Sequence, residues 1–236
     1  MIRTVIVDDE LHAREELELL LEEIGGFDIV ASCANPIEAI KVVHLEKPEL
    51  VFLDIQMPLL SGFELLSMID EDIMPHVVFV TAYDEYALKA FEENALDYLL
   101  KPVEQERLGK TVDKIRRLIR QGARPSYETP AINRIPCICA NRIKLVDPKE
   151  VEHVHSDLSG VHVTCAQGSF FTELTLKILE ARTGLLRCHK QYLVNVEQID
   201  EITLLENGAA EIKTRLGNRL PVSRRYLKSL KETLGL

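Results

Sequence analysis

The stretch VFLDIQMPLLSG, from Val51 to Gly62, decides how the chain folds. It opens on an unbroken apolar run, the pattern of a strand buried on both faces. One carboxylate, Asp54, closes that run, and a proline and a glycine follow. An ionised Asp beside a packed strand is costly to desolvate unless partners stabilise it.

Working outward, strand-like and helix-like segments alternate. Upstream, VIVDD (Val5–Asp9) reads as a buried strand. Leu11–Ile24 reads as a helix, with Leu17, Leu20, Leu21 and Ile24 on one face and Gly25-Gly26 as the stop. DIVASC is a second strand. Asn35-Pro36 predicts an N-cap with proline at the first helical position, and Glu38 stands three residues after the cap, as in a capping box. Downstream, a short helix follows Gly62, and VVFVT (Val77–Thr81) is a fourth strand. Asp84–Glu93 reads as a helix, YLLKP (Tyr98–Pro102) as a fifth strand and Glu104–Arg120 as a long last helix. The prediction is an α/β doubly wound fold, a five-stranded parallel sheet covered on both faces, with right-handed crossovers. Ligands of such sheets bind outside the carboxyl ends of the strands.

The pattern then breaks. Gln121–Arg134 carries Pro, Gly, Ser and Thr without an apolar period and reads as a linker. Beyond it lie short strand-like runs, a hairpin signal at Asn207-Gly208, a turn at Gly217-Asn218, a helix over Glu173–Arg182 and a last helix from Arg224 capped by Ser223. The expected organisation is one domain over residues 1–120, a linker over 121–134 and a mostly-β domain over 135–236.

Charge divides the chain in the same place. Residues 1–120 hold 25 Asp and Glu against 12 Lys and Arg, while residues 121–236 hold 13 against 16. An acidic half joined to a mildly basic half suggests modules with different partners. No apolar run is long enough to span a bilayer, so no membrane insertion is expected. The five cysteines are odd in number and scattered, which fits reduced thiols in a cytoplasmic protein.

The strand ends of the first half carry its chemistry. Asp8, Asp9 and Glu10 follow the first strand, Asp54 the third, Thr81 ends the fourth and Lys101 follows the fifth. All face one edge of a parallel sheet. Crowded carboxylates repel, and a hard divalent cation with oxygen ligands, Mg²⁺, resolves the conflict. Asp54 would then be a carboxylate nucleophile that forms an aspartyl phosphate, with Lys101 supplying positive charge and the Thr81 hydroxyl bonding a phosphoryl oxygen.

VDDE, FLDIQMPLLSG, VTAYDE and YLLKP, in this order, resemble the signature of response-regulator receiver domains, which have a flavodoxin-like fold. The resemblance implies that Asp54 accepts a phosphoryl group from a sensor histidine kinase. It further implies that Asp8, Asp9, Asp54 and the backbone carbonyl of Gln56 hold Mg²⁺, that Tyr98 is the switch aromatic and that the Lys101–Pro102 bond is cis.

The second half places Arg187, His189, Lys190 and Gln191 in LLRCHKQYLVN and Arg219, Arg224 and Arg225 in GNRLPVSRRYLKSL. Arg and Lys can read guanine edges and bind phosphates, and Gln can read adenine. LLRCHKQYLVNVEQI followed by LPVSRRYLKSL resembles the LytTR family of DNA-binding domains, which pair with receivers. That resemblance implies a ten-stranded β assembly whose loops face promoter DNA with repeated half-sites. It implies base or backbone contacts from Lys190 and Arg224, places Arg187, His189, Gln191 and Arg225 among the DNA-binding residues, and adds a further contact from the loop at Ser159-Gly160. Asn195 is expected to bond backbone at a turn and Cys188 to face the core. The partners implied are a LytS-type membrane-bound kinase and, on phosphorylation, a second copy of the chain. An enzyme using Asp54 in phosphatase chemistry would need a second acid two residues on, where Gln56 stands; the chain is expected not to be an enzyme. A protein-docking role for the β domain would be distinguished by the absence of salt-dependent duplex binding.

Overall fold

The computed structural model describes residues 1–83, 95–122, 125, 127, 130–140, 142–206 and 208–235. The helix expected over Asp84–Glu93, and Asn207 of the expected hairpin turn, lie outside them. The chain forms two compact units, Met1–Pro130 and Ala131–Leu236.

In the first unit, strands β1 (Ile2–Val7), β2 (Phe27–Cys33), β3 (Leu50–Leu53), β4 (His76–Thr81) and β5 (Asp97–Leu100) pair in parallel in the order β2-β1-β3-β4-β5. Every residue of β3 and β4 is buried, as their apolar runs require. Helix α1 (Leu11–Ile24) buries Leu17 and Leu21, and Leu20 and Ile24 pack against the same core. It stops at Gly25, whose φ of 74° a glycine adopts without strain. Helix α2 (Pro36–Glu46) begins with the Asn35 side chain accepting from the Glu38 amide. The Glu38 carboxylate reaches past the cap to the Ala34 amide at 3.2 Å, so the reciprocal bond falls one residue earlier than in a capping box. The full box stands instead at Ser61 and Glu64, opening α3 (Gly62–Leu66). A Cβ at Gly62 would collide with the backbone oxygen of Asp54, so the glycine lets α3 lie directly on the end of β3. Helix α4 (Gln105–Arg120) closes the fold.

One residue of the expected linker packs into this unit. The Tyr127 hydroxyl accepts from the Val77 amide at 2.8 Å and donates to the Pro75 carbonyl at 3.2 Å, at the start of β4. Burial pushes that hydroxyl above the ordinary phenol range.

The second unit has ten strands among the described residues. The seven-stranded sheet runs β11-β12-β8-β9-β10-β6-β7, built from β6 (Ile135–Cys139), β7 (Arg142–Val146), β8 (Val151–Asp157), β9 (Gly160–Cys165), β10 (Gly168–Thr172), β11 (Leu186–His189) and β12 (Tyr192–Val194). The three-stranded sheet is β13 (Ile199–Leu204), β14 (Ala210–Thr214) and β15 (Arg219–Val222). Helix α5 (Leu176–Thr183) starts three residues later than the expected Glu173, because the Thr175 side chain caps it by accepting from the Ile178 amide. Helix α6 (Arg224–Leu234) begins where expected, but the Ser223 hydroxyl makes no capping bond. A second core gathers Cys188, Val194, Ala210, Ile212, Leu220, Val222 and Leu230. Asn195 ties loops to it: its amide donates to the Lys149 and Val151 carbonyls, and its side-chain oxygen accepts from the Glu197 amide.

Candidate functional site

Ladder bonds continue past the ends of the parallel strands and fix the residues that follow. The Asp8 amide bonds the Cys33 carbonyl, the Asp54 amide the Val7 carbonyl and the Lys101 amide the Thr81 carbonyl. Asp8, Asp54, Thr81 and Lys101 are thereby held at one sheet edge. Carboxylate oxygens of Asp8, Asp9 and Asp54 lie within 4.8 Å of one another. Asp8 and Asp54 are buried, and Asp9 is exposed.

Lys101 enters this cluster. Its Nζ lies 2.8 Å from Asp8 Oδ2, 2.9 Å from Asp54 Oδ2 and 3.1 Å from Glu10 Oε2. The remaining carboxylate oxygens are served by backbone: the Gln56 amide donates to Asp54 Oδ1 and the Glu10 amide to Asp8 Oδ1. Burial raises the Asp8 pKa, and the Lys101 hydrogen bond offsets this only in part. Burial opposes the Lys101 charge, but hydrogen bonds to Asp8 and Asp54 outweigh it and raise the lysine pKa. The cleft therefore keeps its cation, and one lysine among several carboxylates leaves net negative charge for a further cation.

Two more expected residues lie on the neighbouring strands, Thr81 at the end of β4 and Tyr98 within β5. Thr81 Oγ1 is fully buried and has no hydrogen-bond partner among the described residues. An orphaned buried hydroxyl is rare and marks a place for a ligand oxygen or a water. Tyr98 is buried on β5 and its hydroxyl donates to the Tyr83 carbonyl. The Lys101–Pro102 peptide bond is cis.

In the second unit the turn between β11 and β12 carries exposed Lys190 and Gln191. His189 faces back, its Nδ1 accepting from the Gln191 amide at 3.2 Å. The Ser223 amide donates to the Cys188 carbonyl at 3.0 Å, which brings the start of α6, with exposed Arg224 and Arg225, next to this turn. The loop after β8 is shaped by Asp157, which accepts from the Ser159 amide and hydroxyl, and Ser159 Oγ also meets His162 Nε2 at 2.8 Å. Arg187 differs from its neighbours: its guanidinium is bonded to Glu180 and to the Lys190 carbonyl, and its side chain is only 13% exposed.

Sequence comparison matches residues 4–113 to the response regulator receiver domain and residues 141–235 to the LytTr DNA-binding domain. A response regulatory protein of Vibrio cholerae is 55% identical over 100% of this chain and 99% of its own length. One from Yersinia pestis is 54% identical, with each chain covered in full. The transcriptional regulatory protein BtsR of Salmonella typhi is 51% identical, again over the whole of both chains. The chain belongs to the response regulators that join a receiver to a LytTR DNA-binding domain.

Within this response regulator, the receiver brings Asp8, Asp9, Asp54, Thr81 and Lys101 into one cleft, with Gln56 bonded to Asp54 through its amide. The LytTR domain brings His189, Lys190 and Gln191 beside Arg224 and Arg225, and turns the Arg187 side chain into the protein. Two participants carried no assigned role in the sequence. Glu10 binds Lys101, and its place directly after the acidic pair was the available signal. Glu180 binds Arg187, and nothing in the local pattern marks it. No helix among the described residues is long and apolar enough to cross a membrane.

Proposed function

We propose that Asp54 accepts a phosphoryl group from a sensor histidine kinase, of the membrane-bound LytS type, and that phosphorylation controls promoter binding by the LytTR domain. The observation that carries this reading is the gathering of the Asp8, Asp9 and Asp54 carboxylates, with Lys101 on Asp8 and Asp54, at the strand ends where the Thr81 hydroxyl is orphaned. The donor set is all oxygen and net negative, which suits Mg²⁺ held by Asp8, Asp9, Asp54 and the Gln56 carbonyl. When bound, the metal supplies charge stabilisation for an incoming phosphoryl group.

The chain's own groups do the rest. Asp54 is the nucleophile through its carboxylate oxygen. Lys101, already 2.9 Å from that carboxylate, neutralises the added charge. Thr81 donates its unpartnered hydroxyl to a phosphoryl oxygen. The Tyr98 hydroxyl, two residues along β5 from the cleft edge, changes partner as the switch. Phosphorylation shifts an existing equilibrium toward paired receivers, and pairing concentrates two LytTR domains on repeated half-sites. In those domains Lys190, Gln191, Arg224 and Arg225 face the DNA, and His189 holds the turn. The protein works in the cytoplasm as a regulator rather than an enzyme.

Incubation with a small phosphodonor and Mg²⁺ tests the assignment. The wild-type chain should take one acid-stable, base-labile phosphoryl group, and Asp54→Asn should take none. Equal labelling of Asp54→Asn overturns it.

A further inference from the structure

Arg187 is a basic residue in the segment that would face DNA, yet each of its three guanidinium nitrogens meets an oxygen of the protein and its side chain is 13% exposed. Nε and Nη2 both lie 2.8 Å from Glu180 Oε2 on α5, and Nη1 donates to the Lys190 carbonyl at 3.2 Å. This one side chain therefore joins a helix to the tip of the β11–β12 turn. The turn is held at its other backbone groups too. The Gln191 amide is bound by His189 Nδ1 and the Cys188 carbonyl by the Ser223 amide. The exposed residues of the turn are Lys190 and Gln191.

We infer that Arg187 and Glu180 form a clamp that positions Lys190 for DNA, and that Arg187 itself touches no nucleic acid. This rests on the reading of the LytTR domain as the promoter-binding part. A planar fork can hold a carboxylate and a carbonyl at once, which a lysine ammonium on a flexible stem does not reproduce. A turn held in its bound shape before DNA arrives loses less conformational entropy on binding.

The clamp makes a prediction whose sign is opposite to simple electrostatics. Glu180 is an acid near a surface that binds a polyanion. Removing it should tighten binding if charge alone mattered, and should weaken binding if it holds Arg187. Glu180 is partly exposed on a helix, where alanine is well tolerated, so the fold should survive.

The test uses the full-length chain treated with phosphodonor and Mg²⁺, and a duplex enriched by the wild-type chain from a randomised pool. Binding is titrated at several salt concentrations, with thermal melting of each variant as the folding control. Glu180→Ala and Arg187→Ala should each weaken binding about tenfold with an unchanged salt slope. The double variant should be no worse than either alone, as members of one unit are non-additive. Arg187→Lys, which would preserve a phosphate contact, should bind as weakly as Arg187→Ala. Lys190→Ala should lower the salt slope by about one. Tighter or unchanged binding by Glu180→Ala, rescue by Arg187→Lys, or a slope lowered by Arg187→Ala would overturn the clamp alone. Failure of the wild-type chain to enrich any duplex would overturn the DNA-binding reading and the clamp with it.

Discussion

Buried acids are handled differently in the two domains. In the receiver, Asp8 and Asp54 lie against the Lys101 ammonium, and Asp97 lies against the Arg107 guanidinium. In the LytTR domain, the carboxylate of Glu152, 1% exposed, accepts from the Asn218 side-chain amide, whose Nδ2 lies 3.1 Å from Oε1 and 3.0 Å from Oε2. His153, whose pKa burial lowers, stands 3.8 Å away. An acid paired with a cation responds when charge is added beside it, because the cation can be drawn elsewhere. An acid held by a neutral amide offers no such handle, and Glu152 joins β8 to the turn between β14 and β15 as a fixed tie. The receiver's buried charge is thus suited to a signal, and that of the LytTR domain to a rigid platform.

The largest effect expected from this contrast is that of Lys101→Ala. Removing one partner of a buried ion pair costs about 3–5 kcal/mol, because the other charges stay buried without compensation. The lysine side chain is 14% exposed and meets three carboxylates, so the loss should fall within that range. Urea unfolding of the full chain in EDTA should show the receiver destabilised, and Mg²⁺ should restore more stability to the variant than to the wild type. A variant as stable as wild type in EDTA would break the contrast, since the receiver's acids would then not depend on their cation.

Asn218→Ala tests the other side. It deprives the buried Glu152 carboxylate of its amide donor while leaving the fold's apolar core untouched, and should cost about 2 kcal/mol. Asn218→Asp should cost more, because it sets a second carboxylate against the first. Both losses should appear in the melting of the LytTR domain and be insensitive to Mg²⁺ or phosphodonor. A Mg²⁺-dependent loss would erase the distinction between the domains.

The same contrast explains what could be read from the sequence. Asp54 ends an apolar run and Lys101 follows another, so a polar group in each place breaks a pattern and is visible without a structure. The parallel topology then carries both to one edge. Helix α1 was legible to the residue because an apolar face and two glycines bound it. The platform was less legible, since its determinants are partner choices across long gaps. Glu152 meets Asn218 across 66 residues. Arg187 looks like a nucleic-acid contact until Glu180, on a helix turned back toward it, is seen to hold it. Tyr127 sits in a polar segment with no period, and its partners, the Val77 amide and the Pro75 carbonyl at the start of β4, lie about 50 residues away.

Arg107→Ala carries the smallest expected effect and sharpens the receiver's half of the comparison. Arg107 on α4 forks onto Asp97, with Nη1 3.0 Å from Oδ2 and Nη2 2.5 Å from Oδ1, and Nη2 also donates to the Tyr98 carbonyl. Burial raises the Asp97 pKa, but the bonds from Arg107, the Tyr98 amide and Thr111 outweigh it and leave it below the ordinary 3.8. A carboxyl lowered on folding contributes stability that is present above its unfolded value and is lost as pH falls through its folded value. Arg107 is 41% exposed, so screening reduces the pair to about 1 kcal/mol at neutral pH. The stability difference between wild type and Arg107→Ala should hold steady from pH 7 toward the carboxylate range and shrink as Asp97 takes its proton. Urea unfolding at intervals down to pH 3 measures it. A difference that stays constant to pH 3 would mean that Arg107 supports β5 by packing alone. The buried acid beside Tyr98 would then be no more tied to charge than Glu152 is, and the arrangement around Tyr98 would belong with the rigid half of the molecule.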